Sequence, residues 1–208
     1  PNDETSARLL CDGMAKLGAH VLPLSKAAKQ FCDRVSFLRA AEPEIDWPDF
    51  STAALLANLA DWLGPHIIGK TAVAQISKSD VLQALEARIA WDRHKKLDLD
   101  APTHFTAPTG SSIALDYEAE GGPALFIRVQ ELFGLSKHPS VAGGRIALTL
   151  HLLSPAHRPI QVTRDLPGFW KGSWSEVKSE MKGRYPRHVW PDNPSEAQAT
   201  ARAKPRGT

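Results

Sequence analysis

An eight-residue stretch from Gly64 to Thr71 has the spacing that could bind a nucleotide. Its sequence, GPHIIGKT, matches the pattern G-x-x-x-x-G-K-[ST] at every fixed position. In a loop of this kind a β-strand leads into the glycines, backbone amides surround the phosphates, and the Lys and Thr begin a helix. Here residues 51–63 predict a helix instead, and Ile67 and Ile68 would crowd the phosphates. No apolar strand ending in Asp-Glu follows to hold magnesium. We therefore interpret the stretch as a turn between helices.

Other side chains with catalytic or metal-binding chemistry are scattered. Asp116 and Glu118 alternate on a predicted strand, which is typical of a solvated strand face rather than of an acid–base pair. Ser111 and Ser112 lack the glycine pattern of a hydrolase nucleophile. Metal sites on helices often use two histidines three or four residues apart, and no such pair is evident here. The histidines His104, His138, His151, His157 and His188 are scattered along the second half of the chain. The sequence therefore predicts no catalytic residue, cofactor site or metal site in this chain.

A basic and aromatic segment, residues 158–190, is the remaining candidate for a functional surface. Lysine and arginine can neutralise phosphates, and exposed aromatic rings can stack on unpaired bases. Alternatively, the aromatic residues hold a small domain together with arginines lying across them, or the segment docks on a protein. The candidate nucleic-acid-binding residues are Arg158, Arg164, Lys171, Lys182, Arg184, Tyr185, Arg187 and Trp190. Within this set, the GRYPR stretch around Pro186 is the favoured part, because proline rigidity leaves two guanidinium groups at the edge of the protein.

The charge is unevenly distributed in a way that supports this choice only weakly. Residues 1–100 contain 12 Lys and Arg against 14 Asp and Glu, whereas residues 101–208 contain 13 against 9. An anionic partner is therefore expected at the second half. The net charge of +2 is small for a strong nucleic-acid binder, so charge alone carries little weight.

Cysteine usage and hydropathy point to a cytoplasmic protein. Cys11 and Cys32 fall within helical patterns and are interpreted as small buried hydrophobic residues, which fits a reducing compartment. No apolar run approaches the roughly 18 residues of a membrane span, and the start does not resemble a signal peptide. We expect no contact with a membrane. The chain begins at Pro1 rather than methionine, which favours an excised fragment.

The first hundred residues predict a bundle of helices. Apolar residues recur at helical spacing in four segments, and serines or acidic residues in front of them are candidate caps. A linker over residues 42–48 interrupts helix formation, because proline disfavours helical geometry in the residue before it. The predicted caps are Thr5 or Ser6, Ser25, Ser51, and Ser79 or Asp80.

After Pro102 the pattern changes to short strands. Residues 104–107 and 113–117 predict a hairpin, and residues 124–129, 145–153 and 159–163 predict further strands. A helix is expected over residues 174–182, stopped by Gly183. The predicted class is thus α+β. It has a helical subdomain (1–100), a small mixed and mainly antiparallel α/β subdomain (101–192), and a disordered tail (193–208) whose composition offers almost nothing to bury.

Several short sequence motifs, and the order in which they occur, make this chain resemble the C-terminal region of the HrpB family of bacterial ATP-dependent RNA helicases. These proteins are DEAH-type helicases. The resemblance covers most of the chain. The phrases that carry it are IDWPDFS (45–51), ADWLGPH (60–66), APTHFTAPTGSSIALDY (101–117), RVQELFG (128–134), VAGGR (141–145), HLLSP (151–155), RPIQVT (158–163), FW (169–170) and KGRYPRHVWP (182–191).

The resemblance implies that this chain is the accessory C-terminal domain of a helicase. The parent protein would hydrolyse ATP with magnesium in two RecA-like domains that have no counterpart here, and the chain itself would not be catalytic. The implied partners are the helicase core of the same polypeptide and single-stranded RNA. The alternative is a protein-interaction module that docks on the core or another protein without touching nucleic acid.

Overall fold

The boundary between Ala101 and Pro102 divides the chain into two units. A computed structural model describes residues 3–203, and we call residues 3–101 the helical unit and residues 102–203 the mixed unit. Among the described residues, the first contains helices without strands, and the second combines small sheets with two α-helices and one 3₁₀ segment (Val129–Leu132). The α+β class predicted from the sequence is therefore confirmed. No helix among residues 3–203 is long and apolar enough to cross a membrane.

The helical unit contains six α-helices and three short 3₁₀ segments among the residues described. The 3₁₀ segments cover Ala19–Val21, Gly64–His66 and Val73–Gln75. The α-helices are α1 (Asp3–Leu17), α2 (Lys26–Ala41), α3 (Thr52–Ala57), α4 (Leu59–Trp62), α5 (Lys78–Glu86) and α6 (Trp91–Asp100).

Side-chain caps fix where several of these helices begin. Ser25 accepts a hydrogen bond from the Ala28 amide, and Ser51 accepts one from the Ala54 amide, as the sequence predicted. The prediction for α5 was wrong by two or three residues, because Ser77 is the cap and Asp80 reaches back to the Ser77 amide.

Helix α1 also differs from its predicted form. It has already begun at Asp3, so Thr5 and Ser6 lie inside the helix rather than capping it. The buried face carries Ala7, Cys11 and Met14, whereas Leu17 is exposed. Cys32 on α2 is buried as well, and burial is the main reason that the pKa of each thiol rises to about 11. Both cysteines therefore serve as small hydrophobic residues, as predicted.

In the mixed unit a first hairpin joins β1 (His104–Thr106) to β2 (Ser112–Ala114). The predicted turn at Pro108–Gly110 is present, and Gly110 has a φ of 85°, which favours glycine. A second, shorter hairpin joins β4 (Ser140–Val141) to β5 (Ile146–Ala147).

The main sheet has three strands in the order β3, β6, β7, which cover Ala124–Arg128, Thr149–Leu153 and Pro159–Thr163. β3 and β6 are parallel, whereas β6 and β7 are antiparallel. The sequence predicted one strand over residues 145–153. Instead the chain passes from one sheet to another at Leu148, which lies between β5 and β6. The Leu148 amide donates a hydrogen bond to the Pro139 carbonyl.

The two faces of this sheet differ in character. Leu125 and Ile127 of β3 are buried together with Leu150 and Leu152 of β6. The opposite face carries three side chains that the register places in one row across the strands: Phe126, His151 and Val162. Phe126 and Val162 are exposed, so the described residues leave this face partly uncovered.

The α-helices of the mixed unit, over the residues that the structure describes, are α7 (Leu166–Lys171) and α8 (Trp174–Arg184). The carboxylate of Asp165 caps α7 by accepting from the Gly168 amide at 2.9 Å. Helix α8 passes through Gly183, where the sequence predicted its end, and stops before Tyr185.

Residues 193–203 form neither a helix nor a strand. Their composition predicted disorder, but Gly134 donates its amide to the Pro194 carbonyl at 2.8 Å, and Thr200 donates to the Gln130 carbonyl at 3.0 Å. Composition could not predict these two contacts, because backbone hydrogen bonds do not depend on side-chain type. Residues 204–208 of the predicted tail lie outside the described residues.

Candidate nucleic-acid interface

The stretch from Gly64 to Thr71 follows helix α4, not a strand. A 3₁₀ turn opens it, Ile67 is fully buried, and the Thr71 amide donates to the Gln75 side chain at 2.7 Å. The Lys70 ammonium donates to the carboxylate of Asp80 on α5. This hydrogen bond is the largest reason that the pKa of Asp80 falls to about 2, followed by hydrogen bonds from Ser77. Lys70 thus connects the turn to the start of helix α5. This structural contact explains the position of the Lys70 side chain, and no bound nucleotide is needed to explain it.

Two tryptophans of the basic and aromatic segment belong to the core. Trp170 and Trp174 are buried, and their rings meet edge to face with centroids 5.5 Å apart. Their indole nitrogens donate to the Leu135 carbonyl at 2.9 Å and the Pro191 carbonyl at 3.0 Å. Trp170 and Trp174 therefore hold the mixed unit together, which was the structural alternative to stacking on bases.

Tyr185 and Trp190 are half-buried at the end of α8. The Trp190 indole donates to the Tyr185 carbonyl at 2.9 Å, and the Trp190 ring lies 6.2 Å from that of Trp174. The Tyr185 hydroxyl lies 3.2 Å from the hydroxyl of buried Ser154. These contacts give both rings a structural role and fix the chain that follows α8.

Ser154 also positions the turn between β6 and β7. Its hydroxyl accepts a hydrogen bond from the Arg158 amide at 3.1 Å, while the same oxygen meets the Tyr185 hydroxyl. The turn that carries Arg158 therefore lies against the end of α8, next to Arg184 and Arg187. All three guanidinium-bearing residues are exposed.

A fourth arginine, Arg128 at the end of β3, lies near the other three. The sequence analysis did not predict it as part of this surface. Arg128 pairs in register with Leu153, just before the Arg158 turn. Both Arg128 and Arg187 are close enough to His188 to affect it: burial chiefly, and then these two positive charges, lower the pKa of the His188 imidazole. We call Arg128, Arg158, Arg184 and Arg187 the arginine cluster.

Two carboxylates moderate the charge of the arginine cluster. The Arg128 Nε donates to Glu131 at 3.0 Å, and Arg184 pairs with Glu180 at 3.0 Å. Burial alone would raise the pKa of Glu131, but hydrogen bonds from Ser111, Arg128 and Thr109 outweigh it and lower that pKa. The carboxylate therefore stays ionised beneath Arg128. Arg158 and Arg187 are exposed at this surface, which makes both of them candidates for phosphate contacts.

The other predicted residues do not all join the cluster. Lys182 lies in the last turn of α8, close to it, whereas Lys171 precedes the start of α8, a helix about 16 Å long. Arg164 follows the far end of β7, and its guanidinium donates to the Ala147 carbonyl at 3.3 Å. The structure thus divides the predicted set between two ends of the mixed unit.

Comparison with known proteins defines the class. Residues 62–194 match the family model HrpB_C, described as ATP-dependent helicase C-terminal. Because this match covers more than half of the chain, the chain belongs to this family of helicase C-terminal regions. The resemblance drawn from the sequence motifs is confirmed.

Particular relatives agree with this assignment. The chain is 44% identical over 206 residues to the ATP-dependent RNA helicase HrpB of Escherichia coli (strain K12). It also aligns with crystal structures of the E. coli DExH-box NTPase HrpB (TM-score 0.90, 42% identity) and the E. coli DEAH/RHA helicase HrpB (TM-score 0.77, 41% identity). These alignments cover 98% and 91% of this chain but only 25% and 24% of the solved chains. The chain thus spans about a quarter of the length of these relatives.

Proposed function

We propose that this chain serves an ATP-dependent RNA helicase as an accessory domain that guides single-stranded RNA and contacts the helicase core of the same polypeptide. The observation that carries the RNA-guiding role is the convergence of Arg128, Arg158 and Arg187 from three separate segments. Arg158 and Arg187 are exposed and Arg128 is half-buried, and arginines held at the end of a strand, in a turn and after a helix suit recognition of a phosphate backbone. The chain itself has no catalytic role in this proposal. ATP and magnesium bind the core, in the cytoplasm.

The proposal predicts salt-dependent binding of single-stranded RNA by the 208-residue chain. In the variant Arg158→Gln/Arg187→Gln we expect weaker binding to all RNA sequences, and a slope of log affinity against log salt that is smaller by about 0.7 for each lost phosphate contact. Glutamine keeps part of the aliphatic stem, so packing is largely preserved. Fluorescence anisotropy with a short labelled RNA, at several salt concentrations, measures both quantities.

A matched control removes two positive charges elsewhere. Lys16→Gln/Lys78→Gln changes two exposed lysines of the helical unit and is expected to bind RNA nearly as the wild type does. Equal affinity and slope in the wild type and in a folded Arg158→Gln/Arg187→Gln variant would show that the arginine cluster is not the site. Circular dichroism establishes folding.

The second candidate function is protein docking, and a specific side chain favours it. Trp91 at the start of α6 is 85% exposed, and Leu99 on the same helix is also exposed. Large exposed apolar residues of this kind often anchor protein interfaces. If the wild-type chain binds no RNA even at low salt, docking on the helicase core or on another protein becomes the better account.

We also predict that the chain does not turn over ATP. The Lys70 ammonium is engaged by Asp80 and no strand leads into Gly64, so the chain is expected to hydrolyse no ATP and to show no nucleotide binding. Instead, Lys70→Ala is expected to lower the free energy of unfolding by about 1 kcal/mol or less, through loss of a partly buried ion pair that solvent still screens. An ATPase assay and urea unfolding of both proteins check this, and lysine-dependent turnover would contradict it.

A further inference from the structure

The exposed face of the main sheet carries a pair of stacked rings. Phe126 on β3 and His151 on β6 are direct neighbours in the parallel register, with ring centroids 4.2 Å apart and planes inclined by 19°. Val162 completes the row on β7. Phe126 remains 45% exposed although it is a large apolar ring on a regular strand. The sheet therefore holds a rigid flat surface whose outer part contacts solvent in this chain.

Arginines lie at both ends of this surface. Arg128 is two residues after Phe126 on the same strand, so strand alternation places it on the same face. Arg164 is two residues after Val162 and follows β7 at the other end of the sheet. The two positions differ by four residues along the strands, or about 13 Å. An apolar patch with a positive group at each end matches the chemistry of a base flanked by phosphates.

We propose that a base of single-stranded RNA stacks on Phe126 and extends the Phe126–His151 ring pair, while neighbouring phosphates contact Arg128 and Arg164. This inference rests on the proposed RNA-guiding function and assigns it a stacking site that is separate from the contacts of Arg158 and Arg187. Every base has an aromatic face, so the site accepts RNA with little sequence preference. Arg164, which lies apart from the arginine cluster, has a role in this arrangement.

The test uses the 208-residue chain and a short single-stranded RNA that contains 2-aminopurine, whose fluorescence falls when it stacks on a ring. Wild type is expected to quench the probe. Phe126→Ala is expected to lose the quenching and to bind about tenfold or more weakly, whereas Phe126→Tyr retains both properties. The salt slope is expected to be the same in all three proteins, because no phosphate contact is removed.

Two controls separate stacking from other effects. Phe126→Leu keeps an apolar side chain without a flat ring, so it is expected to behave as the alanine variant does. Trp91→Ala removes an exposed aromatic residue from the helical unit and is expected to leave quenching and affinity unchanged.

The outcomes distinguish this inference from the function on which it rests. If Phe126→Ala binds and quenches like the wild type while Arg158→Gln/Arg187→Gln binds more weakly, the stacking site is wrong and the proposed function stands. If Phe126→Leu retains full affinity, the face is an apolar docking surface and the inference fails. If the wild type binds no RNA at low salt, both proposals fail together.

Discussion

Trp174→Ala is expected to lower the free energy of unfolding of the mixed unit by about 3–5 kcal/mol, the range typical of a large aromatic residue removed from a core. Trp174 is 2% exposed, and its ring meets those of Phe133, Phe169 and Trp170 at 5.5 to 6.2 Å. The substitution also removes the donor to the Pro191 carbonyl. Urea unfolding followed by circular dichroism measures the loss, and hydrogen exchange of amides in residues 102–203 assigns it to the mixed unit.

Trp91→Ala is the matched control, because the same change at an exposed position is expected to shift the free energy of unfolding by no more than about 0.5 kcal/mol. Equal effects of the two substitutions would contradict the placement of Trp174 at the centre of the aromatic core.

Lys96→Met is expected to destabilise the helical unit by about 2 kcal/mol. The Lys96 ammonium donates to Glu42 at 2.9 Å and also pairs with Asp100. The Glu42 side chain is 1% exposed, so its charge would lose a partner within the interior, which is strongly destabilising. The Lys96 side chain is itself 35% exposed, and solvent screening reduces the effect below that of a fully buried pair.

The same ion pair predicts a dependence on pH. The hydrogen bonds with Asp100 and then Glu42 raise the pKa of Lys96 above its ordinary value of 10.5. A raised pKa means that the stabilisation is fully present below pH 10.5 and is lost as the pH rises through the folded-state value. Urea unfolding between pH 8 and pH 12 (roughly spanning this window) is expected to show that the free energy of unfolding of the wild type falls as the pH rises. This fall is expected to be smaller in Lys96→Met. An identical alkaline loss in both proteins would show that Lys96 is not its source.

Local signals predicted most of the fold. Ser25 and Ser51 precede apolar stripes, so the starts of α2 and α3 could be identified from capping chemistry alone. Helix α6 escaped notice because its sequence, WDRHKKLDLD, offers only Leu97 as a buried residue. The change of sheet at Leu148 was also missed, because the alternation of apolar residues continues through it and only a hydrogen bond to Pro139 reveals the break.

The candidate interface was predictable in part. Composition identified Arg158, Arg184 and Arg187 within one segment, but it could not separate Lys171 and Arg164 from them. That separation depends on the length of α8 and the direction of β7. Arg128 and Phe126 were missed for a related reason. Both lie on β3, which precedes the basic and aromatic segment (158–190) by about thirty residues. Only the parallel pairing of β3 with β6 brings these two residues close to that segment.

The parallel pairing of β3 with β6 also determines when the mixed unit can form during synthesis. Antiparallel hairpins such as β1–β2 close over a few residues, but β3 must wait for a partner 25 residues further along the chain. The hydrogen bond from Thr200 to Gln130 closes a loop of 70 residues. Long loop closures slow folding, whereas helices form from neighbouring residues. On the ribosome, the helical unit can therefore fold while the mixed unit is still incomplete, and the mixed unit reaches its final form only after Thr200 has emerged.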